Sequence, residues 1–464
     1  MRATPLVFLV LAAMPAAAQR STTAAPGERA SLAITDVTVI DGTGSAARPH
    51  MTVVIVGDKI IAVDSMARPM VPRPLAAQAT VIDGRGKFLI PGLWDMHVHL
   101  AKSGAASLGL FVANGVTSVR DMGGAFTVVQ QFRSMINAGT RIGPRIRTAG
   151  PILESAERVR RMKARGTVEP VDRFRAPVAD TIDARRVVDS VAQLGVDFIK
   201  VRTATSRETY QAIASAARRA GLTLAAHGDI VSAEDMLAAG QRSIEHAIYP
   251  SLQKRDSATR ARLIRELAKA RVAIVPTMVN YYQWLMVSPA DARRIVDDSL
   301  GRIDVRRRYV SGYLLDDWRE QVDERDGAKD ALIRRFFWPR AFGGILRDLR
   351  EMHRAGVRIL PGTDVAVALM YPGFSLRDEL KYFVDEIGMT PLEALVSATR
   401  FSAEFSGMQD SLGTVERGKL ADLVLLDADP LLDIRNVGRI HAVITRGQLL
   451  DRSRLDGLLA AAMR

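Results

Sequence analysis

One stretch decides the fold of this chain: Ile90-Pro91-Gly92-Leu93-Trp94-Asp95-Met96-His97-Val98-His99-Leu100. It predicts a short apolar strand with two histidines at its C-terminal end. Because residues i and i+2 of a strand point to the same face, His97 and His99 project together while Val98 faces the other way. Two neighbouring imidazoles at a strand end make half of a metal site. By itself such a pair is more often two hydrogen-bonded histidines in a half-exposed strand, because short motifs frequently match by chance.

Four further candidate ligands follow at the ends of other short apolar segments, and they are Lys200, His227, His246 and Asp364. Helix-like segments separate most of these strand-like segments, which predicts a parallel sheet closed by crossover helices. A TIM barrel places the C-terminal ends of all its strands on one face, where catalytic residues collect. Together with the two histidines of the first strand, six such side chains would be enough ligands for two metal ions.

These segments resemble the amidohydrolase superfamily of metal-dependent hydrolases, in particular imidazolonepropionase-like and prolidase-like members. The matching motifs are PGLWDMHVH at 91–99, FIKV at 198–201, AAHGD at 225–229, SIEHA at 243–247 and PGTD at 361–364. The flanking segments DVTVIDG at 36–42 and LGTVERGKLADLV at 412–424 match as well. The resemblance covers nearly everything after the first thirty residues. It implies an α/β protein, a (β/α)8 TIM barrel with a small β-sandwich domain built from both chain ends.

The domain boundaries follow from this organisation. Residues 31–90 and 411–464 are predicted to form the two parts of the small β-domain, and residues 91–410 the hydrolase barrel. The predicted barrel strands are Leu93–His97, Thr117–Arg120, Arg145–Thr148, Phe198–Val201, Thr223–Ala226, Ser243–Glu245, Ala273–Val275 and Val357–Leu360.

The N-terminus has the pattern of a secretory signal peptide at residues 1–18, followed by a small, polar linker at 19–30. Arg2 is the charged part, Leu6 to Met14 the apolar part, and a run of alanines ending at Ala18 the cleavage site. The apolar run is too short to span a bilayer, so we predict no membrane anchor. The mature protein is expected in the periplasm or outside the cell.

Composition restricts both ligands and partners. The chain has 464 residues, a formal net charge of +13 and no cysteine. Without thiolates, a metal must be held by nitrogen and oxygen ligands, and no disulfide can form. The basic residues are interleaved with Asp and Glu, and no nucleic-acid-binding module is recognisable, so no nucleic acid partner is predicted. A field that attracts anionic substrates remains open, as does a homo-oligomer.

Two connections are candidate walls of the substrate pocket. The connection between the seventh and eighth strands, 277–345, is unusually long, largely helical and rich in aromatic residues such as Tyr281, Tyr282 and Trp284. It is either a lid over the site or a packed insertion with its own core. The second candidate wall, Pro151 to Ala176, is predicted to be an irregular loop after the third strand.

The resemblance also implies the roles of the six ligands. His97, His99 and Asp364 would hold the first divalent ion, and His227 and His246 the second, with zinc the expected metal. Lys200, carboxylated by CO2 to an anionic carbamate, would bridge the two ions together with a hydroxide, since metal contact lowers the pKa of water to about 7. Asp364 would take the proton of this hydroxide and deliver it to the leaving group.

The neighbours of the ligands carry further expectations. Asp121 and Arg202 are candidates for contacts behind the ligands or with substrate, and Tyr281 and Tyr282 for contacts with substrate. Glu245 is expected to face away from the site, because it precedes the ligand His246 in a strand.

The predicted reaction is hydrolysis of an amide bond in a small peptide-like molecule or an N-acyl amino acid. Alternatives with the same site are hydrolysis of a lactone, an ester or an aryl amide. The segment TAGPILE at 148–154 lacks the histidine that many dipeptidase relatives have there, which disfavours a dipeptidase. A periplasmic binding protein on the same scaffold is the non-enzyme alternative, disfavoured because all six ligands are present. A mononuclear deaminase-like hydrolase is disfavoured by Lys200.

Overall fold

The structure of the chain is a computed structural model that describes residues 31–65, 79–246, 252, 255–310, 312–325 and 338–463. The predicted signal peptide and linker, residues 1–30, lie outside the described residues. So do Phe336 and Phe337 of the long connection and the side chains of Trp284 and Trp338.

The described residues contain eighteen strands. In chain order they are β1 (Ser31–Val39), β2 (Arg48–Val56), β3 (Lys59–Ser65), β4 (Thr80–Asp83), β5 (Phe88–Pro91), β6 (Leu93–Val98), β7 (Val116–Asp121), β8 (Arg145–Thr148), β9 (Ile152–Ser155), β10 (Arg175–Val178), β11 (Ile199–Val201), β12 (Leu224–His227), β13 (Ser243–Glu245), β14 (Ala273–Val275), β15 (Arg358–Ile359), β16 (Leu423–Leu426), β17 (Ile440–Thr445) and β18 (Gln448–Leu450).

The α-helices are Leu100–Ser103, Ala106–Ala113, Phe126–Asn137, Ala156–Arg165, Val171–Phe174, Thr181–Gln193, Arg207–Arg219, Ala233–Ala239, Ser257–Lys269, Met278–Met286, Pro289–Asp297, Gly312–Glu324, Trp338–Arg354, Ser375–Tyr382, Pro391–Val396, Ser402–Phe405 and Arg452–Ala462. Short 3₁₀ segments lie at Val305–Tyr309 and Ile434–Gly438, and π-helical turns at Phe383–Ile387 and Ser397–Phe401. Across the described ranges, no helix combines the length and apolar character needed to cross a bilayer.

The two ends of the chain meet in one eight-stranded sheet. Its order is β18-β17-β16-β5-β1-β2-β3, with β4 beside β1. The C-terminal strand β16 pairs antiparallel with β5, so that Leu423 lies opposite Pro91 and Leu425 opposite Leu89. Apolar residues of both chain ends, such as Ile34 and Ile444, pack in one buried cluster. The predicted small β-domain built from both ends is therefore present.

The central part of the chain forms a closed barrel of eight parallel strands, in the order β6-β7-β8-β11-β12-β13-β14-β15. Ladder pairing joins the first three strands and, separately, the last five. Backbone hydrogen bonds bridge these groups on both sides. Asp197 N donates to Thr148 O at 2.9 Å on one side, and Met96 N donates to Pro361 O at 2.8 Å on the other. The predicted TIM barrel is confirmed, and the C-terminal ends of its strands share one face.

The crossover helices form where capping residues and apolar spacing agree. Helix Thr181–Gln193 begins after Asp180, whose carboxylate accepts hydrogen bonds from two backbone N–H groups of the first turn. Its residues Val187, Val188 and Val191 are buried, as a helix lying against a barrel requires.

The segment after the third barrel strand is more regular than the sequence predicts. It contains β9, the helices Ala156–Arg165 and Val171–Phe174, and β10. Strand β9 pairs parallel with β10, and Leu153 pairs with Val201 of β11. The predicted irregular loop is wrong, because strands of four residues are stabilised here by partners more than twenty residues away.

The long connection between β14 and β15 packs firmly onto the barrel. Trp318 and Phe342 belong to the main buried cluster of the chain. The indole of Trp318 meets the ring of Tyr371 edge-on, at 5.2 Å between centroids. In its described part, the connection is thus a packed insertion, and it also lines the pocket described next.

Candidate metal centre

A pocket of about 580 Å³ opens at the C-terminal face of the barrel. Five of the six predicted ligands line it, and His97 lies just beneath them with 1% of its side chain exposed. The rings of His97 and His246 are 4.7 Å apart, and those of His227 and His246 4.4 Å. The fold therefore brings together side chains from β6, β11, β12, the end of β13 and the segment after β15.

The atoms of the first predicted ligand group have the spacing of a metal site. Nε2 of His97 and Nε2 of His99 each lie 3.4 Å from Oδ1 of Asp364. Ligand atoms held about 2.0–2.1 Å from a tetrahedral ion are separated by about 3.3–3.4 Å. The three residues also form a compact group of potential metal ligands in the described part of the chain. Their donor atoms therefore fit a divalent ion.

The other ring nitrogens are engaged by residues behind the site. Nδ1 of His97 lies 2.9 Å from Glu245, Nδ1 of His99 2.8 Å from the carbonyl of Gly123, and Nδ1 of His246 2.8 Å from the hydroxyl of Thr277. Since a carbonyl only accepts, Nδ1 of His99 carries a proton, and Nε2 is the ring nitrogen that faces Asp364. Partners of this kind fix the tautomer and orientation of metal-binding histidines.

Glu245 faces the site, and the expectation that it faces away is wrong. Its carboxylate contacts His97, accepts a hydrogen bond from Arg120 at 2.7 Å and another from Ser243 at 2.5 Å. The physical reason lies one residue later, because His246 has φ of +64° and leaves the regular strand alternation. The side chains of Glu245 and His246 can then both point into the barrel.

Charge around Glu245 keeps it ionised. Burial raises the pKa of Glu245, but Arg120 and the hydrogen bond with His97 outweigh burial and hold that pKa below its ordinary value. The resulting carboxylate accepts the Nδ1 proton of His97, which leaves Nε2 of His97 with a free lone pair.

Lys200 is buried without a partner for its amine. Only 1% of the residue is exposed, and Nζ has no hydrogen-bond partner within the described ranges. Burial lowers the pKa of Lys200 to about 7, although Glu245 acts in the opposite direction. An ammonium group in such a place would lose its hydration without compensation. The site therefore suits a neutral amine or a chemically modified lysine.

Electrostatics favours ligand-competent forms of the other residues. Burial lowers the pKa of His97 to about 4 and holds the pKa values of His227 and His246 well below their ordinary value. Burial alone would raise the pKa of Asp364, but His97 and His246 outweigh it and the pKa lies below the ordinary range. At neutral pH the site thus holds neutral imidazoles and an anionic carboxylate.

The backbone of the site is strained at three non-glycine positions. His246, Thr277 and Asp364 have φ values of +64°, +51° and +60°. Positive φ costs energy in residues with a side chain and clusters at functional sites. Gly362, two residues before Asp364, packs closely: a Cβ there would lie 2.5 Å from Val275 and 2.7 Å from Cβ of His97. The PGTD motif therefore needs glycine at position 362, because any side chain there would collide with Val275 and His97.

Two residues that the sequence did not predict contact Asp364 or its neighbour Thr363. Asn280 donates from Nδ2 to Oδ2 of Asp364 at 2.9 Å. Asp95 accepts hydrogen bonds from the backbone and the hydroxyl of Thr363, at 3.0 and 2.6 Å. Burial raises the pKa of Asp95 to about 7. Asp95 could have been identified from the sequence, because it lies in the strand that carries the HVH motif. Asn280 could not, because it lies in a helix with no recognisable motif.

Of the remaining predicted site residues, two line the pocket and two lie outside it. Tyr281 and Arg202 line the pocket. Tyr282 packs away from it, stacked on Tyr382 at 3.9 Å between ring centroids. Asp121 is buried and accepts hydrogen bonds from the backbone of Leu100 and the hydroxyl of Thr148, so it braces the end of β6.

Both long connections supply pocket walls. The segment after β8 contributes Ile152, Glu169 and Arg175, and the connection after β14 contributes Asn280, Tyr281, Asp317, Gln321 and Ile345. Lys102 joins the two walls, with Nζ 3.0 Å from Asp317 and 3.1 Å from Glu169. Only one of these residues from the second wall is aromatic, so its aromatic density serves mainly packing.

Comparisons with known proteins identify the family to which the chain is similar. Residues 88–450 match the family described as "Amidohydrolase family". The chain is 26% identical to ochratoxinase of Aspergillus niger, over 86% of this chain and 81% of that protein. It is 25% identical to imidazolonepropionase of Symbiobacterium thermophilum, over 92% and 94% of the two chains. A solved prolidase complexed with N-methylphosphonate-L-proline has a TM-score of 0.67 and 25% identity, covering 91% of this chain and all of that one.

Proposed function

The chain belongs to the amidohydrolase family and is a hydrolase of carbon–nitrogen bonds, and we propose that it is a secreted enzyme with two divalent ions that hydrolyses an amide bond in a small peptide-like molecule or an N-acyl amino acid. The observation that carries the proposal is the spacing of the ligand atoms, with two imidazole nitrogens each 3.4 Å from one carboxylate oxygen.

The residues assigned to the first ion are His97, His99 and Asp364, and those assigned to the second are His227 and His246. When bound, divalent ions would lower the pKa of a water molecule to about 7 and would polarise the carbonyl oxygen of the substrate. Imidazole and carboxylate ligands suit zinc, the metal we expect.

Lys200 would supply an anionic ligand for the two ions in this proposal. Its amine is buried, has no hydrogen-bond partner in the described structure, and has a pKa of about 7 because burial disfavours the ammonium form. A neutral amine adds to CO2: the Nζ lone pair forms a bond to carbon and one N–H proton leaves. The product is an anionic carbamate whose two oxygens can contact two cations.

Asp364 moves the proton. Its low pKa keeps it anionic at neutral pH, and Asn280 holds Oδ2 at 2.9 Å. The carboxylate takes a proton from the attacking water and passes it to the amide nitrogen as the carbon–nitrogen bond breaks. Water is thereby added across the bond, giving a carboxylic acid and an amine. Hydrolysis of a lactone, ester or aryl amide would use the same proton transfer.

The test is metal analysis joined to a substrate screen. The mature protein should contain close to two equivalents of zinc or a substitute metal, and it should hydrolyse N-acyl amino acids, dipeptides or related amides. His99→Ala should lose metal and activity. His441→Ala is the matched control, because His441 lies in the small domain beside Asp427. Full activity with one equivalent of metal would contradict the binuclear site.

A further inference from the structure

Arg202 lines the candidate metal pocket, two residues after Lys200. Lys200 belongs to β11, and Arg202 is the first residue after this strand. Both line the pocket together with His227. Burial is the main cause of the lowered pKa values of Lys200 and His227. The positive charge of Arg202 lowers both pKa values further.

The other cations of the pocket are already paired. Nζ of Lys102 contacts Asp317 and Glu169, Arg175 contacts Glu169 at 2.5 Å and Glu154 at 3.3 Å, and Arg165 contacts Glu324 at 2.6 Å. These pairs hold the walls of the pocket together. A cation that is already paired with a carboxylate is less available to bind an anionic ligand.

Arg202 differs from these residues. Within the described ranges its side chain has no hydrogen bond and no carboxylate within 4.0 Å, although it is partly buried. Asp229 and Glu154 attract it from a greater distance, while Arg158 and Arg175 repel it. A guanidinium that loses hydration without gaining a partner is unfavourable by itself. Its planar fork matches the two oxygens of a carboxylate.

We propose that Arg202 binds the carboxylate of the substrate, which makes the enzyme selective for amides that carry a free carboxylate next to the scissile bond. This inference rests on the proposed amide hydrolysis and narrows its substrate class to N-acyl amino acids and peptides with a free C-terminal carboxyl group. Neutral lactones and aryl amides lack the group that Arg202 would bind.

The arrangement also orients the substrate across the mouth. Strand β11 is the fourth barrel strand, whereas Tyr281 and Ile345 come from the connection between the seventh and eighth, on the other side of an eight-stranded ring. With its carboxylate at Arg202 and its amide at the ligand cluster, the substrate places its acyl group near Tyr281 and Ile345. Both side chains offer apolar surface for it.

Two matched pairs of compounds isolate the carboxylate. N-benzoylglycine and N-benzoylglycinamide are compared by kcat/KM for benzoate release. Their uncleavable ketone analogues, 4-oxo-4-phenylbutanoic acid and its carboxamide, are compared by calorimetric binding to the metal-loaded protein. The wild type should favour each acid by roughly 10- to 100-fold, the usual worth of a hydrogen bond to a charged group. Arg202→Gln should remove this preference, and Arg202→Lys should keep part of it.

Arg165→Gln is the matched control, since it removes a pocket-lining arginine that is already paired with Glu324. It should keep the preference for the acid, and all variants should keep the metal content of the wild type. A wild type without preference for the acids, or an Arg202→Gln variant with an unchanged preference, would overturn the assignment.

The two readouts separate this inference from the proposed function. Equal hydrolysis of the acid and the amide would refute the role of Arg202 and leave amide hydrolysis standing. Arg202-dependent binding of the acid without hydrolysis of any amide would support the carboxylate site and refute the proposed reaction.

Discussion

Replacing Glu245 by glutamine tests whether a buried charge behind His97 organises the metal centre. The side chain keeps its shape and one carbonyl oxygen but loses its negative charge. Glu245 contacts His97 at 2.9 Å and Arg120 at 2.7 Å, and all three side chains are almost fully buried. In the variant, the guanidinium of Arg120 stays buried without a countercharge.

Two effects of known size follow. Breaking a buried ion pair by removing one partner costs roughly 3–5 kcal/mol. Because glutamine retains an acceptor for Arg120, we expect the lower end, about 3 kcal/mol in the free energy of unfolding of the metal-free protein. Loss of a partner behind a metal-binding histidine weakens metal affinity by about 10- to 100-fold.

The stability difference should depend on pH in a defined direction. The pKa of Glu245 is lower in the folded protein than its ordinary value, since Arg120 and His97 together outweigh burial. The stabilisation by its charge is fully present above the unfolded pKa of about 4.3 and is lost as the pH falls towards the folded pKa. The wild type and Glu245→Gln should therefore differ by a constant amount above about pH 5 and converge at lower pH.

Urea unfolding in the presence of chelator measures the stability, and competition with a chromophoric chelator measures the affinity for zinc. Glu404→Gln is the control, because Glu404 also pairs with two arginines, Arg358 at 2.6 Å and Arg400 at 3.2 Å, but is partly exposed. It should change stability by about 1 kcal/mol or less and leave zinc affinity unchanged. A Glu245→Gln variant with wild-type stability and wild-type zinc affinity would refute the role of the buried charge.

Three further variants test the rest of the site. Asp364→Asn keeps an oxygen ligand but cannot accept a proton at neutral pH, so it should retain most of its metal and lose roughly 10²- to 10⁴-fold in kcat; a fully metallated variant with near-normal kcat would show that another group moves the proton. Lys200→Ala should lose metal and activity, and formate or acetate should restore part of both by replacing the missing carboxylate; unchanged metal content and rate would exclude the carbamate. Tyr281→Ala should change the ratio of kcat/KM between large and small acyl groups, whereas Tyr282→Ala should mainly lower the urea midpoint because it removes the stack on Tyr382; the opposite result would contradict their placement.

The sequence alone determined the barrel, the small domain from both ends and the six candidate ligands. The shared face of the ligands depends on local rules: a period of two places His97 and His99 on one face, and the parallel strands of a barrel end on one side. The small domain from both chain ends was implied by the resemblance to the amidohydrolase superfamily. Each ligand lies in or shortly after a short barrel strand, so its position on the catalytic face needs no knowledge of distant contacts. The strand bounds accordingly agree within about two residues, as for β8 and β13.

The tertiary structure alone decided which neighbours serve the site. Glu245 turns inward because the backbone at His246 adopts a positive φ, which the period of a strand does not anticipate. Strands β9 and β10 exist because each finds a partner far along the chain. Tyr281 and Tyr282 are adjacent in sequence, yet a helix turns consecutive side chains by about 100°, so one faces the pocket and the other packs. Such contacts arise from packing between distant segments, and local sequence patterns do not encode them.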